Sequence, residues 1–352
     1  MKTILGIDIG ADSLKMAEVK GQTVKSYAIA PVPQKLVRDG RVVSPETMAE
    51  LIRDTMRKNK IRANDAAIVL PAETTYVRNV TVPQMTTDQL VYNLPFEFRD
   101  YITDELKNYV YDYAVLSQFV EQPEPEAAET PDPADPFATQ AGEAEENRPK
   151  MELMAAATSI EVLEETRAML RKAGLKLAKA APASASYIAL IRNMDDSIRP
   201  ESGETAFLDL GYTSIRLHIF KGERLEATRE LETGLSTVDA AIADALNVDI
   251  HLAHTYLLNN FEGIRDKDVC QNAFNGIAVE LMRALNFYGF SNQQSRLNDI
   301  WLCGGGAAYS QLRNAIGEAV EMNLHPAREL ISGGDSIEHC FGLVQAIGAA
   351  QY

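Results

Sequence analysis

The sequence predicts an α/β protein of two lobes that carries a small α+β insertion. Three observations carry that expectation. ILGIDIGADSLKMAEVKGQTVKSYAIAPVP, from Ile4, reads as strand, turn, strand, turn, strand, with Gly10 and Gly21 at the turns. The same layout returns in ETAFLDLGYTSIRLHIFKGERLEATRELETG, Glu204 to Gly234. Between the two, from Thr75, the chain changes to Tyr- and Val-rich strands around one helix. With 352 residues it can bury a core for two domains or for a deeply cleft pair of lobes.

Each element has a local reason. After the first glycine, Ser13 to Val19 alternates as a strand does, which excludes a dinucleotide fold, where a helix would follow. SPETMAELIRDTMRKNKI is a helix with Ser44 as N-cap and Pro45 at its first position. DAAIVLP is a buried strand, and TYVRNVTVP begins the insertion as another. TTDQLVYNLPFEFRDYI is a helix that Pro95 must break or kink. ELKNYVYDYAVLSQF is a strand whose aromatics suit either a groove or a core face. Residues 121–150 are dense in Pro, Glu, Asp and Ala with Phe137 as their one aromatic, and are expected to be disordered. They read as a surface excursion or a charged docking tail. MELMAAAT is a strand and SIEVLEETRAMLRKAGL a helix ending at Gly174. KLAKAAPASASYIALIRNM contains a helix from about Pro182. Beyond the repeat come helices at STVDAAIADAL, HLAHTYLLNN and Val269 to Tyr288. DIWLCGGGAAYSQLRNAIGEAV is strand, glycine loop, helix, and HCFGLVQAIGAA closes the chain as a helix.

Composition bounds the partners. Fifty acidic against 34 basic residues, net −16, argue against nucleic acid, which needs a concentrated basic surface. Cys270, Cys303 and Cys340 lack zinc-ligand spacing and read as free thiols of a reducing compartment. There is no secretory apolar region at the start and no charge-free apolar run of spanning length. The expectation is a cytoplasmic protein that meets a membrane only through partners.

The repeat also carries chemistry. Asp8, Gly10, Asp12 and Ser13 match Asp209, Gly211, Thr213 and Ser214. A glycine at such a hairpin leaves backbone N–H groups open and lets a phosphate come close. Ser and Thr hydroxyls donate to phosphate oxygens, and carboxylates beside phosphates imply Mg²⁺ between them. Two such loops facing each other would grip a polyphosphate, whereas either alone is an ordinary hairpin. Gly304, Gly305 and Gly306 sit between a buried strand and a helix, where the backbone can meet a flat ligand, or simply turn.

Taken together, GIDIG with Ser13 and Lys15, LDLGYTSIRL, WLCGGGAAYSQL, NGIAVELMRALNFY and FGLVQAIGAA resemble, in this order, the PilM family of type IV pilus assembly proteins. That family lies in the actin-like ATPase superfamily and is related to the cell-division protein FtsA. The likeness covers nearly all the chain except the acidic segment. It implies a two-lobed actin-like ATPase (ribonuclease H-like) fold: lobe 1 over 1–75, a small inserted domain over 76–165, connecting helices of lobe 1 over 166–202, lobe 2 over 203–330, and a C-terminal helix at 331–352 returning to lobe 1.

The resemblance further implies ATP and Mg²⁺ between the lobes. Asp8, Gly10, Asp12, Ser13 and Lys15 take the first phosphate side, and Gly211, Thr213 and Ser214 the second. Asp8 and Asp209 are placed near the metal and are the groups that could order a water for hydrolysis. Glu280 and Arg283 stand near the nucleoside, with Gly304, Gly305 and Gly306 beneath it. Asp12 departs from the family's usual Ser or Thr and adds negative charge beside the phosphates. The family partner is the cytoplasmic N-terminus of a PilN-like inner-membrane protein, expected near 76–120, along with other pilus assembly proteins. ASASYIAL, on the expected connecting helix, offers no carboxylate or glutamine, so slow ATP hydrolysis at most is expected. The rival readings are a small-molecule kinase of the same superfamily and an FtsA-like scaffold. The chain's last residues lack the basic amphipathic character of a membrane anchor.

Overall fold

The computed structural model describes residues 2–120 and 149–352. The expected acidic loop, with Phe137, lies outside the described residues up to 148, and Pro149 and Lys150 already belong to a strand. The chain forms two compact units, Met1–Thr74 with Leu163–Tyr352, and Thr75–Val162.

The first unit starts with the expected meander: β1 (Thr3–Ile9), β2 (Ser13–Lys20) and β3 (Thr23–Pro31), all antiparallel. A short ribbon, β4 (Val37–Arg38) with β5 (Arg41–Val42), leads to α1 (Pro45–Lys58). Ser44 caps α1 by accepting from the Thr47 N–H at 3.4 Å. Its buried Met48, Ala49 and Ile52 pack with Leu5, Ile7, Leu14 and Met16 of the sheet. β6 (Asp65–Leu70) is buried at every residue, as a parallel strand covered on both faces must be.

The second unit is a three-stranded antiparallel sheet of β7 (Thr75–Pro83), β8 (Tyr109–Val120) and β9 (Pro149–Ser159), with β9 in the middle. Between β7 and β8 lies α2 (Thr87–Asn93), capped by a reciprocal Thr86–Gln89 box. It gives way to a 3₁₀ turn at Leu94–Phe98, so Pro95 ends the α-helix rather than kinking it. Tyr109, Tyr111 and Tyr113 turn inward onto Phe98 and Leu153, while Val110 and Asp112 face outward; Val115 is exposed at the bulge that interrupts the pairing before Ser117. The open choice between core and groove is thus divided along the strand by its period of two.

The chain returns through α3 (Ile160–Lys172) to β10 (Lys176–Pro182) and α4 (Ala183–Arg192). β10 corrects the sequence reading, which had only a helix here. It pairs parallel with β6 and completes a five-stranded sheet of order β10-β6-β1-β2-β3. Its Lys- and Ala-rich composition has little strand preference, and the open edge of β6 decides it.

The repeat builds the second sheet: β11 (Glu204–Leu210), β12 (Ile215–Lys221) and β13 (Arg224–Leu231), again an antiparallel meander. Helices α5 (Leu235–Leu246), α6 (Ile250–Asn259) and α7 (Asp268–Ser291) follow. β14 (Asp299–Cys303) then adds beside β11. The glycines after it form a 3₁₀ turn, Gly305–Ala308, before α8 (Ser310–Ala319), so they do not open directly onto a helix as expected. A further unanticipated strand, β15 (Asn323–Pro326), gives the order β13-β12-β11-β14-β15.

The closing helix α9 (Cys340–Gln351) lies on the first sheet. The approach is backbone to backbone: a Cβ on Gly6 of β1 would fall 1.7 Å from the Ala346 carbonyl oxygen, and one on Gly348 would fall 2.3 Å from that of Ser186 in α4. No helix among the described residues is long and apolar enough to cross a membrane.

Candidate functional site

In both meanders the aspartate ends the first strand opposite a cation on the second. Asp8 is in register with Lys15, and Asp209 with Arg216. Lys15 points into the cleft and bridges Asp8, Nζ to Oδ2 at 3.1 Å. Burial alone would lower its pKa, but Asp8, Asp209 and Asp12 outweigh burial and raise it, so the ammonium stays charged. Arg216 is held by Glu73 at 2.5 Å and Glu230 at 2.8 Å.

The loops between these strands are tight at their glycines, against backbone at Gly211 and against the end of the Lys15 side chain at Gly10. A Cβ on Gly10 would meet Lys15 Nζ at 2.8 Å, and one on Gly211 the Ser214 carbonyl oxygen at 2.4 Å. The Gly10 N–H donates to the Ser13 carbonyl at 3.0 Å, closing the first hairpin. Gly304, at φ +84°, rests on Asp209: a Cβ there would lie 2.3 Å from its Oδ1.

These groups line one cavity of about 570 Å³ within the first unit. Asp8, Gly10, Asp12, Ser13 and Lys15 stand on one side, and Asp209, Gly211, Thr213, Ser214, Gly304 and Gly305 on the other. Three expected residues are not in its lining. Gly306 is buried beneath, where a Cβ would meet Leu210 at 2.9 Å. Glu280 and Arg283 lie on the exposed side of α7 and pair with each other at 2.5 Å. The structure places them on a helix surface as an i,i+3 pair, and does not bring them to the phosphate loops.

Several cleft residues escaped the sequence reading. Gln345 of α9 reaches the cavity floor, where its amide donates to Asp209 Oδ2 at 2.7 Å and to Tyr187 Oη at 2.9 Å. Burial, opposed by Lys15, raises the pKa of Asp209. Burial, with Cys303 and Asp209 beside it, also raises Tyr187. Arg216 was visible in principle, since it is to Asp209 what Lys15 is to Asp8 in the repeat. Gln345 had no local signal, because its partner is 136 residues away.

Asp12, the residue out of place in the family pattern, is paired. Its Oδ1 lies 3.3 Å from His254 Nε2 on α6, and His254 Nδ1 lies 2.7 Å from Oδ2 of the fully buried Asp239 on α5. The hydrogen bonds to Asp12 and Asp239 raise the His254 pKa to about 10, so the imidazole is a cation at neutral pH.

Asp8 and Asp209 flank Lys15, and no cluster of three or more His, Cys, Asp or Glu able to hold a metal occurs among the described residues. Two carboxylates without a protein cage fit Mg²⁺ only when phosphate oxygens and water complete its octahedron.

Comparisons with known proteins bear on this geometry. The chain is similar over 99% of its length to 97% of a chain in a solved "PilM-PilN type IV pilus biogenesis complex", at 23% identity and a TM-score of 0.74. It is also similar to ethanolamine utilization protein EutJ from Carboxydothermus hydrogenoformans, at 13% identity and a TM-score of 0.58, over 100% of this chain and 90% of that one. MreB 5 of Spiroplasma citri, solved with AMPPNP, matches at 10% identity and a TM-score of 0.50, over 96% and 95% of the two chains. These likenesses show the two-lobed actin-like fold. None of the curated proteins compared with it matches the sequence. A family model described as type IV pilus assembly protein PilM matches residues 6–128 and 138–329. The chain belongs to the PilM family of type IV pilus assembly proteins.

Proposed function

We propose that this protein is a cytoplasmic, ATP-binding assembly protein of a type IV pilus machine, stationed at the inner membrane by the N-terminal segment of a PilN-like protein. The observation that carries the nucleotide part is the cavity lined by both copies of the repeated hairpin. Lys15, held charged between Asp8 and Asp209, is the cation for phosphate oxygens. Hydroxyls at Ser13, Thr213 and Ser214, all in the cavity lining, complete the donor set. Asp8 and Asp209 would hold Mg²⁺ brought in with the phosphates, and the ion would neutralise charge there.

The cleft is built for holding nucleotide rather than for rapid turnover. Gln345 is the one side-chain amide in the cavity lining among the described residues, and with its two N–H donors taken by Asp209 and Tyr187 it has only its carbonyl oxygen left for a water. Nucleotide therefore acts chiefly on conformation.

The partner site is placed on the second unit, within 76–120. Supporting this, Val91, Tyr92, Phe96, Tyr101, Val110 and Val115 are all exposed there. The similar solved structure is a complex with PilN. The test is calorimetric titration with a synthetic peptide of the N-terminal cytoplasmic segment of a PilN-like protein, with and without Mg·ATP. Binding lost in Tyr92→Ser with Phe96→Ser supports the placement. Equal affinity with and without nucleotide would refute coupling, and no heat with Mg·ATP alone would refute nucleotide binding.

A further inference from the structure

His254 occupies a position that the family resemblance did not assign. It reaches Asp12 in the first phosphate loop through Nε2 and Asp239 in α5 through Nδ1. The ring of Tyr212, in the second phosphate loop, meets it edge-on at 5.4 Å. One turn earlier on α6, His251 touches the side chain of Gln34, just past β3. Asp12 itself is tied down, because its carbonyl accepts from the Val32 N–H at 2.7 Å. One face of α6 therefore joins the loops of the first sheet to the second phosphate loop.

The charge arithmetic explains why this matters. Asp12 lines the cavity, and an unpaired carboxylate there would repel phosphate. Asp239 is fully buried, and a buried carboxylate without a cation is costly. One imidazolium bridges both, a single positive charge shared between two carboxylates. The groups facing it are Asp12 from the β1–β2 loop, Asp239 from α5 and Tyr212 from the β11–β12 loop.

We propose that His254 is a positioning residue that clasps the two phosphate loops together and offsets the charge of Asp12, so that an aspartate can stand in a polyphosphate site. The affinity consequence rests on the nucleotide reading above, whereas the clasp itself does not. The experiment is a double-mutant cycle on the full chain. Mg·ATP affinity is measured by calorimetry for wild type, His254→Gln, Asp12→Ser and the double variant. His254→Gln should weaken binding about tenfold where Asp12 is present, between the roughly fivefold of a charge pair about 4 Å apart in bulk water and the roughly thousandfold of the same pair at an effective dielectric near 20. In the Asp12→Ser background the same change should have less than about a twofold effect. Equal effects in both backgrounds would overturn the proposal.

Two readouts need no nucleotide, so the clasp is judged even if wild type fails to bind Mg·ATP. Imidazole ¹⁵N spectra should show His254 doubly protonated at pH 8 in wild type, with less of the cation in Asp12→Ser. Hydrogen exchange at 10–14 and 211–214 should quicken in Asp12→Ser, which keeps the buried Asp239–His254 pair and so guards against a folding failure of His254→Gln. A neutral His254 in wild type, or unchanged exchange in both loops, would refute the clasp.

Discussion

Gly304 and Gly305 are adjacent in sequence and should respond in opposite ways to alanine. Gly304 has φ +84°, and a Cβ would stand 2.3 Å from Asp209 Oδ1 and 2.7 Å from both N and O of Leu210. Leu210 is in the paired strand β11, so its backbone cannot step aside without breaking that ladder. With ψ 168° the Gly304 backbone is in a region open almost only to glycine, and it costs another residue about 1–3 kcal/mol. Pushing the Asp209 carboxylate away also breaks its hydrogen bond from Gln345, a charged bond worth about 1.5–3 kcal/mol. Gly304→Ala should therefore lose about 2.5–6 kcal/mol. At Gly305 nothing lies within 4 Å of the added Cβ, and φ is outside the left-handed region. Gly305→Ala should be neutral or gain about 0.5 kcal/mol by restricting the unfolded chain. Urea unfolding followed by the fluorescence of Trp301, the single tryptophan and buried next to this turn, reads both variants. Unfolding free energies within about 0.5 kcal/mol of each other would refute the close approach of Gly304 to Asp209. Calorimetry with Mg·ATP should show the larger loss in the same variant.

Other expectations follow from single contacts. His218, buried against the Tyr187 ring and close to Arg216, has its pKa lowered to about 3, burial being the larger cause. It stays neutral when folded while the unfolded chain takes up a proton below about pH 6.5. Its contribution is therefore complete above that pH and falls by up to about 1.4 kcal/mol per unit as pH drops towards 3. His218→Phe should flatten the acid limb of a stability–pH curve, and parallel curves would count against this. Gln345→Leu removes the donor to Asp209 and should cost about 1–3 kcal/mol, with weaker Mg·ATP binding in calorimetry. Unchanged stability would mean that water replaces the amide. Gly6→Val would press β1 against α9, whose Ala346 oxygen is 1.7 Å from the new Cβ position, and should leave little folded protein by circular dichroism. A cooperative melt near that of wild type would contradict the backbone contact.

The two hairpins were legible because everything that makes them is local. Strand alternation, a glycine at a tight turn, and an aspartate facing a cation across the turn all lie within a short run of chain. Their recurrence at LDLGYTSIRL, with the other motifs in order, was enough to reach the family. The capped helix at Pro45–Lys58 was equally local. By contrast, nothing in KLAKAAP or NLHP announces a strand. β10 and β15 form because β6 and β14 present open parallel edges to them, and pairing of that kind is a property of neighbours.

The sequence by itself determined the two Asp–Gly hairpins and the meanders that carry them, since short-range pattern encodes both. Only the tertiary structure decided what surrounds Asp12 and Asp209. It drew Gln345 from the last helix, His254 from α6 and Asp239 from α5 to those two carboxylates, and left Glu280 and Arg283 on the outside of α7. A charge far along the chain leaves no periodicity near the group it offsets, so Asp12 read as an unpaired anomaly until its cation was seen.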